Sequence, residues 1–168
     1  GAGHIGKDLV SLLAPYTCRI LVNDVRSDEE QKAFYKKHNL IEATKEKIFK
    51  EADVITVHTP FGASTKHLIA ADAFAMMKST AFVINTARGG IVDDRALLNA
   101  LQTKKIAGAG LDVYQGEDAP DFLTASHYRE LFSLPNVIST PHIGGNSEEA
   151  VLAMGYSAIK GLRAYFGK

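Results

Sequence analysis

Gly1-Ala2-Gly3-His4-Ile5-Gly6 has the spacing G-x-G-x-x-G, and apolar residues at helical spacing follow directly behind it. Such a stretch reads as the tight turn from a strand into a helix. The first glycine permits the sharp turn, the second lets backbone approach a pyrophosphate, and the third lets the helix pack close to its strand. The helix behind it would aim its unpaired N–H groups and positive dipole end at the phosphates. Glycine-rich turns are common, so this motif alone is a weak signal.

Working outward, Ile5 to Leu13 reads as a helix with Ile5, Leu9, Leu12 and Leu13 on one face, ended by Pro15. Short unbroken apolar runs at 19–22, 40–41, 53–58, 81–86, 106–113 and 136–139 read as strands. Helices are expected between them over 27–37, 44–52, 71–77 and 93–104, the last capped by Asp93 or Asp94. A helical turn around 128–132 and a long final helix over 147–166 complete the pattern. Alternating helices and unbroken apolar strands are the mark of a parallel sheet covered on both faces. The expectation is an α/β, doubly wound sheet in one domain over residues 1–168. The strand that should precede Gly1 is absent from the chain. It would lie centrally, between the strands at Arg19 and Asp53.

Composition narrows the function. Lys plus Arg and Asp plus Glu balance at 19 each, so no basic excess points to a nucleic-acid partner. No apolar run approaches the ~20 residues of a membrane span. No signal peptide opens the chain, and a cytoplasmic location is the default. Cys18 is the single cysteine, which excludes an internal disulfide, and no Cys/His cluster has metal-binding spacing. Cys18 falls in an apolar run and is expected to be buried and inert.

Doubly wound sheets take ligands at the carboxyl ends of their strands. Asp24 ends the second strand, 18 residues after Gly6. A carboxylate there accepts hydrogen bonds from the adenosine ribose hydroxyls and repels a 2′-phosphate, which argues for NAD over NADP. The plainer reading is a turn or capping aspartate, and Arg26 nearby softens the preference. Later strands run into His58-Thr59-Pro60, into Asn85-Thr86-Ala87-Arg88-Gly89-Gly90, into Asp112 with Glu117 beyond, and into Thr140-Pro141-His142-Ile143-Gly144-Gly145.

Hydride transfer from a 2-hydroxy acid needs a group that takes the alcohol proton near neutral pH. A histidine suits this, and His142 is the candidate. Glu117 would orient its ring and stabilise the imidazolium. Arg88 would clamp the substrate carboxylate and polarise its carbonyl. Asp112 could accept from the nicotinamide carboxamide NH₂. Each has a bland competitor: a histidine ending a strand, a surface arginine, a solvated glutamate. The case rests on their shared place at neighbouring strand ends. His4 is expected to offer backbone or touch phosphate, His58 to line the cleft through its backbone, and His38, His67 and His127 to be exposed loop residues.

Five segments carry a family resemblance: GAGHIG; Asp24; HTP with Thr65 downstream; NTARGGIVDDRALLNAL with AGAGLDVY and Glu117; and PNVISTPHIGG with Glu149-Ala150. In this order they resemble the D-isomer-specific 2-hydroxyacid dehydrogenases, whose coenzyme domain is a Rossmann-type fold. The resemblance implies Arg88, Glu117 and His142 as catalytic residues. It implies coenzyme contacts from Gly1, Gly3, His4, Ile5 and Gly6, then Asp24, Thr59, Pro60 and Thr65. Thr86, Ala87, Arg88, Asp112, His142 and Gly144 complete that set. It implies NAD as cofactor, a small 2-hydroxy/2-keto acid as substrate and a homodimer. Three departures stand out. Asp118 follows Glu117 where the family has proline, and residues 118–127 look inserted. The substrate domain that precedes the glycine turn in the family is also absent, so the final helix has nothing to cross to and the 168 residues alone are expected to be inactive. Two relatives of other activity share much of the pattern: dinucleotide-sensing corepressors and phosphite-oxidising enzymes. Formate-oxidising relatives carry Gln at the position of Glu117.

Overall fold

The computed structural model describes residues 1–167. The glycine turn leads straight into α1 (His4–Leu13), whose N-terminus no side chain caps. Gly6 and Val10 are its buried residues, whereas Ile5 and Leu12 are 64% and 72% exposed. The expected inward face is therefore rotated. Close contact is made at Gly6, and that contact decides which stripe of α1 turns inward.

Then follow β1 (Leu21–Val22), α2 (Glu29–Lys37), β2 (Ile41–Glu42), α3 (Lys45–Glu51), β3 (Val54–Val57) and α4 (Ala71–Met76). The second half adds β4 (Phe82–Asn85), α5 (Asp94–Gln102), β5 (Gly108–Leu111), α6 (Ser126–Ser133), β6 (Val137–Ser139) and α7 (Glu148–Phe166). Local chemistry sets the helix starts. Asp28, Thr44, Asp93 and Ser147 each accept from a backbone N–H two or three residues on. Asp93, not Asp94, caps α5. Cys18 is exposed, contrary to expectation. Only Leu21–Val22 of its apolar run pairs with another strand, so Cys18 lies in the connection before it.

All strand pairings are parallel. β1 pairs with β2, and β3-β4-β5-β6 form a second sheet in sequence order. The fold is α/β of the Rossmann type. Ile55, Val83, Ala109 and Val137 stand in one row across the larger sheet, and Val57, Asn85, Leu111 and Ser139 in another on the same face. That face packs on α3 to α6 through Phe49, Phe74, Leu97, Leu101 and Leu131. The opposite face differs from expectation. Val54, Phe82 and Ile138 are 58%, 45% and 76% exposed, so among the described residues this sheet is covered on one face only. Apolarity on both faces of a strand shows what it can bury, not what covers it. α7 has no buried residue and exposes Leu152, Met154, Ile159 and Leu162.

Candidate active site

The glycine turn is fixed by two contacts that only glycine allows. A Cβ on Gly1 would meet the His58 carbonyl oxygen at 2.5 Å, and one on Gly6 would meet the Gly1 carbonyl oxygen at 2.5 Å. Gly3 differs, with open space within 4 Å of its Cβ position. It stands at the uncapped start of α1, where the free helical N–H groups gather. This is the arrangement that takes a phosphate group. His4 and Ile5 are exposed at its rim.

Asp24 fastens the turn. Its side chain is 8% exposed, and its Oδ2 accepts from the Ala2 N–H at 2.5 Å while Oδ1 accepts from the Arg26 N–H at 2.9 Å. Burial acts to raise its pKa, but these amides and the Arg26 guanidinium outweigh it and hold the carboxyl below the usual range. Arg26 and Gln31 donate to the Ala2 carbonyl at 2.8 and 3.0 Å. Both backbone groups of Ala2 are thus held. The Arg26 guanidinium is engaged by the Ala2 carbonyl, the Gln31 side chain and the Asp24 carboxylate itself.

Across the turn, the Thr59 hydroxyl is buried and has no hydrogen-bond partner among the described residues. A buried donor left unmet is costly, and a bound ligand oxygen would satisfy it. The open cradle at Gly3, the free α1 amides and this orphaned hydroxyl fit a dinucleotide. Thr65 is used differently. Its hydroxyl donates to the Pro60 carbonyl at 2.7 Å and accepts from the Gly62 N–H at 2.9 Å, closing its own loop.

Arg88 follows β4 in a turn built on buried Asn85. The Asn85 side chain accepts from the Ala87 N–H at 3.1 Å and donates to the Arg88 carbonyl at 3.0 Å. Gly89 lies so close to Tyr114 that a Cβ would coincide with its carbonyl. Thr86 and Arg88 are exposed on this turn.

Asp112 directly follows β5, is 5% exposed, and reaches the loop after β6. Its Oδ1 accepts from the Thr140 hydroxyl at 2.5 Å and the Ile143 N–H at 3.0 Å, and Oδ2 from the Gly144 N–H at 2.9 Å. Three of about four lone-pair sites are thus occupied, leaving one for a carboxamide. Those bonds act directly behind His142, whose φ of 54° lies in the left-handed region. A non-glycine residue holds that conformation at a cost of roughly 1–2 kcal/mol, so its neighbours must fix it. There the His142 Nδ1 meets Glu117 Oε1 at 2.5 Å, and Glu117 Oε2 accepts the Tyr114 N–H at 3.0 Å. With Nδ1 engaged, Nε2 is the ring nitrogen left for a substrate.

Arg88, Glu117 and His142 therefore follow β4, β5 and β6, three adjacent strands. Glu117 and His142 touch. Arg88 is joined to them through Gly89 on Tyr114. Sequence reasoning missed the bracing roles of Asn85, Thr140 and Gln31. A polar residue closing an apolar strand was the available signal for Asn85, and the place one helical turn before Tyr35 for Gln31, whereas nothing local marks Thr140. His67 is also corrected. It is half-buried, with Nε2 at 2.9 Å from Gln115 Oε1 and Nδ1 at 3.5 Å from Asp93 Oδ2. His38 and His127 are likewise half-buried, their rings packed at a tilt against Phe34 and Tyr128. No helix among the described residues is long and apolar enough to cross a membrane.

Known proteins carry the same pattern. The family model of the D-isomer specific 2-hydroxyacid dehydrogenase NAD binding domain matches residues 1–144. D-3-phosphoglycerate dehydrogenase 1 of Saccharomyces cerevisiae is 36% identical over 174 aligned residues, taking in 100% of this chain and 36% of that protein. D-specific alpha-keto acid dehydrogenase of Enterococcus faecalis is 35% identical, over 90% of this chain and 46% of that one. Among solved structures, the NAD complexed form of D-isomer specific 2-hydroxyacid dehydrogenase from Lactobacillus delbrueckii ssp. bulgaricus superposes with a TM-score of 0.88 at 32% identity, covering 99% of this chain and 51% of that one. D-lactate dehydrogenase with NAD+ from Lactobacillus jensenii gives 0.82 at 36% identity, covering 92% and 47%. The chain spans about half or less of the length of these relatives. By that match, the chain belongs to the NAD-binding domain family of the D-isomer specific 2-hydroxyacid dehydrogenases.

Proposed function

We propose that this chain is the coenzyme domain of an NAD-dependent D-2-hydroxyacid dehydrogenase, working beside a substrate domain in a cytoplasmic homodimer. The observation that carries the reading is the His142–Glu117 contact between the ends of β6 and β5, with Asp112 also at the end of β5 and Arg88 at the end of neighbouring β4. Bound NAD(H) supplies the hydride exchanged at C2 of the substrate. His142 Nε2 gives its proton to the ketone oxygen as the alcohol forms, and takes it back in the reverse direction. Glu117 holds the ring through Nδ1 and balances the imidazolium charge. Arg88 pairs with the substrate carboxylate and draws charge onto the ketone oxygen.

The coenzyme is held along the cleft. Gly1, Gly3 and Gly6 with the amides of His4 and Ile5 take the pyrophosphate, and Asp24 takes the ribose hydroxyls. Thr59, Pro60 and Thr65 form one wall. Thr86, Ala87 and Arg88 with Asp112, His142 and Gly144 surround the nicotinamide end. The test is an assay of the full-length protein with NADH and a panel of 2-keto acids. His142→Ala should lower kcat by at least ~10²-fold, the usual weight of a general acid. Unchanged turnover in that variant at every pH would remove His142 from the chemistry.

A further inference from the structure

The mechanism leaves a buried acid unused beneath the Glu117 turn. Asp94, in the first turn of α5, is 4% exposed. Its Oδ2 lies 2.6 Å from the Tyr128 hydroxyl and accepts the Gln115 N–H at 2.9 Å. The same Tyr128 hydroxyl lies 2.6 Å from the Gln115 carbonyl oxygen. Gln115 is therefore gripped at both backbone groups, between Tyr114, whose N–H holds Glu117, and Glu117 itself. Its side chain is held as well, by His67.

Two oxygen–oxygen contacts of 2.6 Å meet at one phenol, and a phenol has one hydrogen. If that hydrogen goes to Asp94, the phenol oxygen and the Gln115 carbonyl face each other as two acceptors. A neutral Asp94 carboxyl removes the conflict. Its hydrogen goes to the Tyr128 oxygen, the phenol hydrogen goes to the Gln115 carbonyl, and Oδ2 still accepts the Gln115 N–H.

We propose that Asp94, held as a neutral carboxylic acid, and Tyr128 are positioning residues for Glu117, acting through a hydrogen-bond chain from Asp94 to Tyr128 to the Gln115 carbonyl. Burial pushes the Asp94 carboxyl above the usual carboxylate range, against the smaller opposing effect of its own hydrogen bonds. The ionisable groups around the pair are Asp93 at the N-cap of α5, His127 on α6, and Tyr114 and Glu117 on the turn. The segment 118–127 thereby acquires a task. Phe122 packs on the Tyr114 and Tyr128 rings, with centroids at 5.6 and 4.3 Å, and so seats α6 against the turn.

The kinetic arm of the test rests on the dehydrogenase reading; the exchange arm does not. In the full-length protein, Tyr128→Phe and Asp94→Asn should each lower kcat for 2-keto acid reduction about tenfold, the weight of one buried hydrogen bond, with KM for NADH within about twofold. Asparagine cannot replace the acid. At the Oδ2 position it offers an acceptor, which restores the conflict, or a donor, which faces the Gln115 N–H. The double variant should lose no more than either single one, because both cut the same chain. Exchange of the Tyr114 amide hydrogen should accelerate by about the same factor in both variants. Gln102→Ala, which cuts an exposed α5–α6 hydrogen bond to Glu130, should change neither readout. Kcat within about twofold of wild type in both single variants, losses that multiply in the double variant, or unaltered Tyr114 exchange would each overturn the proposal. If the wild type reduces no 2-keto acid, the dehydrogenase reading falls, and Tyr114 exchange alone decides for or against this chain.

Discussion

Asp112→Asn is the sharpest probe of how this site is held. The amide oxygen can keep the bonds to Thr140 and Ile143, but its NH₂ then faces the Gly144 N–H, donor against donor. A hydrogen bond to a charged group is worth about 1.5–3 kcal/mol, so a loss of about 2 kcal/mol is expected. For a domain of this size that lowers Tm by about 4–8 °C. The effect should also depend on pH. Burial acts to raise the Asp112 pKa, and the Thr140 hydroxyl with the Gly144 and Ile143 amides more than reverse it, so the net shift is downward. A carboxyl depressed in the folded state stabilises the fold above its unfolded pKa of ~3.9 and loses that contribution as pH falls through the folded value. The gap between wild type and variant should be full at neutral pH and close below ~3.9. Calorimetric melting without coenzyme, repeated down the pH scale, measures it. Equal Tm values at neutral pH, or a gap that persists unchanged into strong acid, would refute the bracing role of Asp112.

Four other substitutions separate the parts of the cleft. Gly3→Ala should leave Tm unchanged but weaken NADH binding in a fluorescence titration, because its methyl fills open space at the phosphate cradle. Gly6→Ala should instead lower Tm, since its Cβ would lie 2.5 Å from the Gly1 carbonyl and force strain of about 1–3 kcal/mol. Asp24→Ala should weaken NADH at least ~10-fold and narrow its advantage over NADPH, as a lost charged hydrogen bond would; an unchanged ratio between the two coenzymes would show that Asp24 does not read the ribose. Asn85→Ala strips partners from the Ala87 N–H and the Arg88 carbonyl and should cost about 1–3 kcal/mol in urea unfolding.

Much of the fold could be read from the chain because its signals are local. Asp28, Thr44, Asp93 and Ser147 cap the helices they precede, and each β-strand except β2, which runs on to Glu42, lies inside an apolar run. The contact between Glu117 and His142 was legible for another reason: adjacent parallel strands bring their ends together whatever the loops contain. What stayed hidden depends on partners remote in sequence. Asp112 and Gly144 are 32 residues apart, and nothing in either stretch says that one carboxylate fastens the other loop. Asp94 looked like a second capping residue beside Asp93, because only the position of Tyr128, 34 residues on, reveals its burial. The stripe of α1 that turns inward was misread because the contact at Gly6 outweighs the apolar pattern of Ile5 and Leu12.

The cross-ties between strand ends also set where the chain tolerates a change of length. Between Asp112 and Glu117 four positions are matched to something outside the stretch: Asp112 to Thr140 and Gly144, Tyr114 to Gly89, Gln115 to Asp94 and Glu117 to His142. One residue added there would put Glu117 out of phase with the ring it holds. The stretch from Asp118 to Asp121 has no such matching; its residues are exposed, and the next anchor is the Phe122 ring. Variation in length can therefore accumulate on the far side of Glu117 while the spacing before it stays rigid.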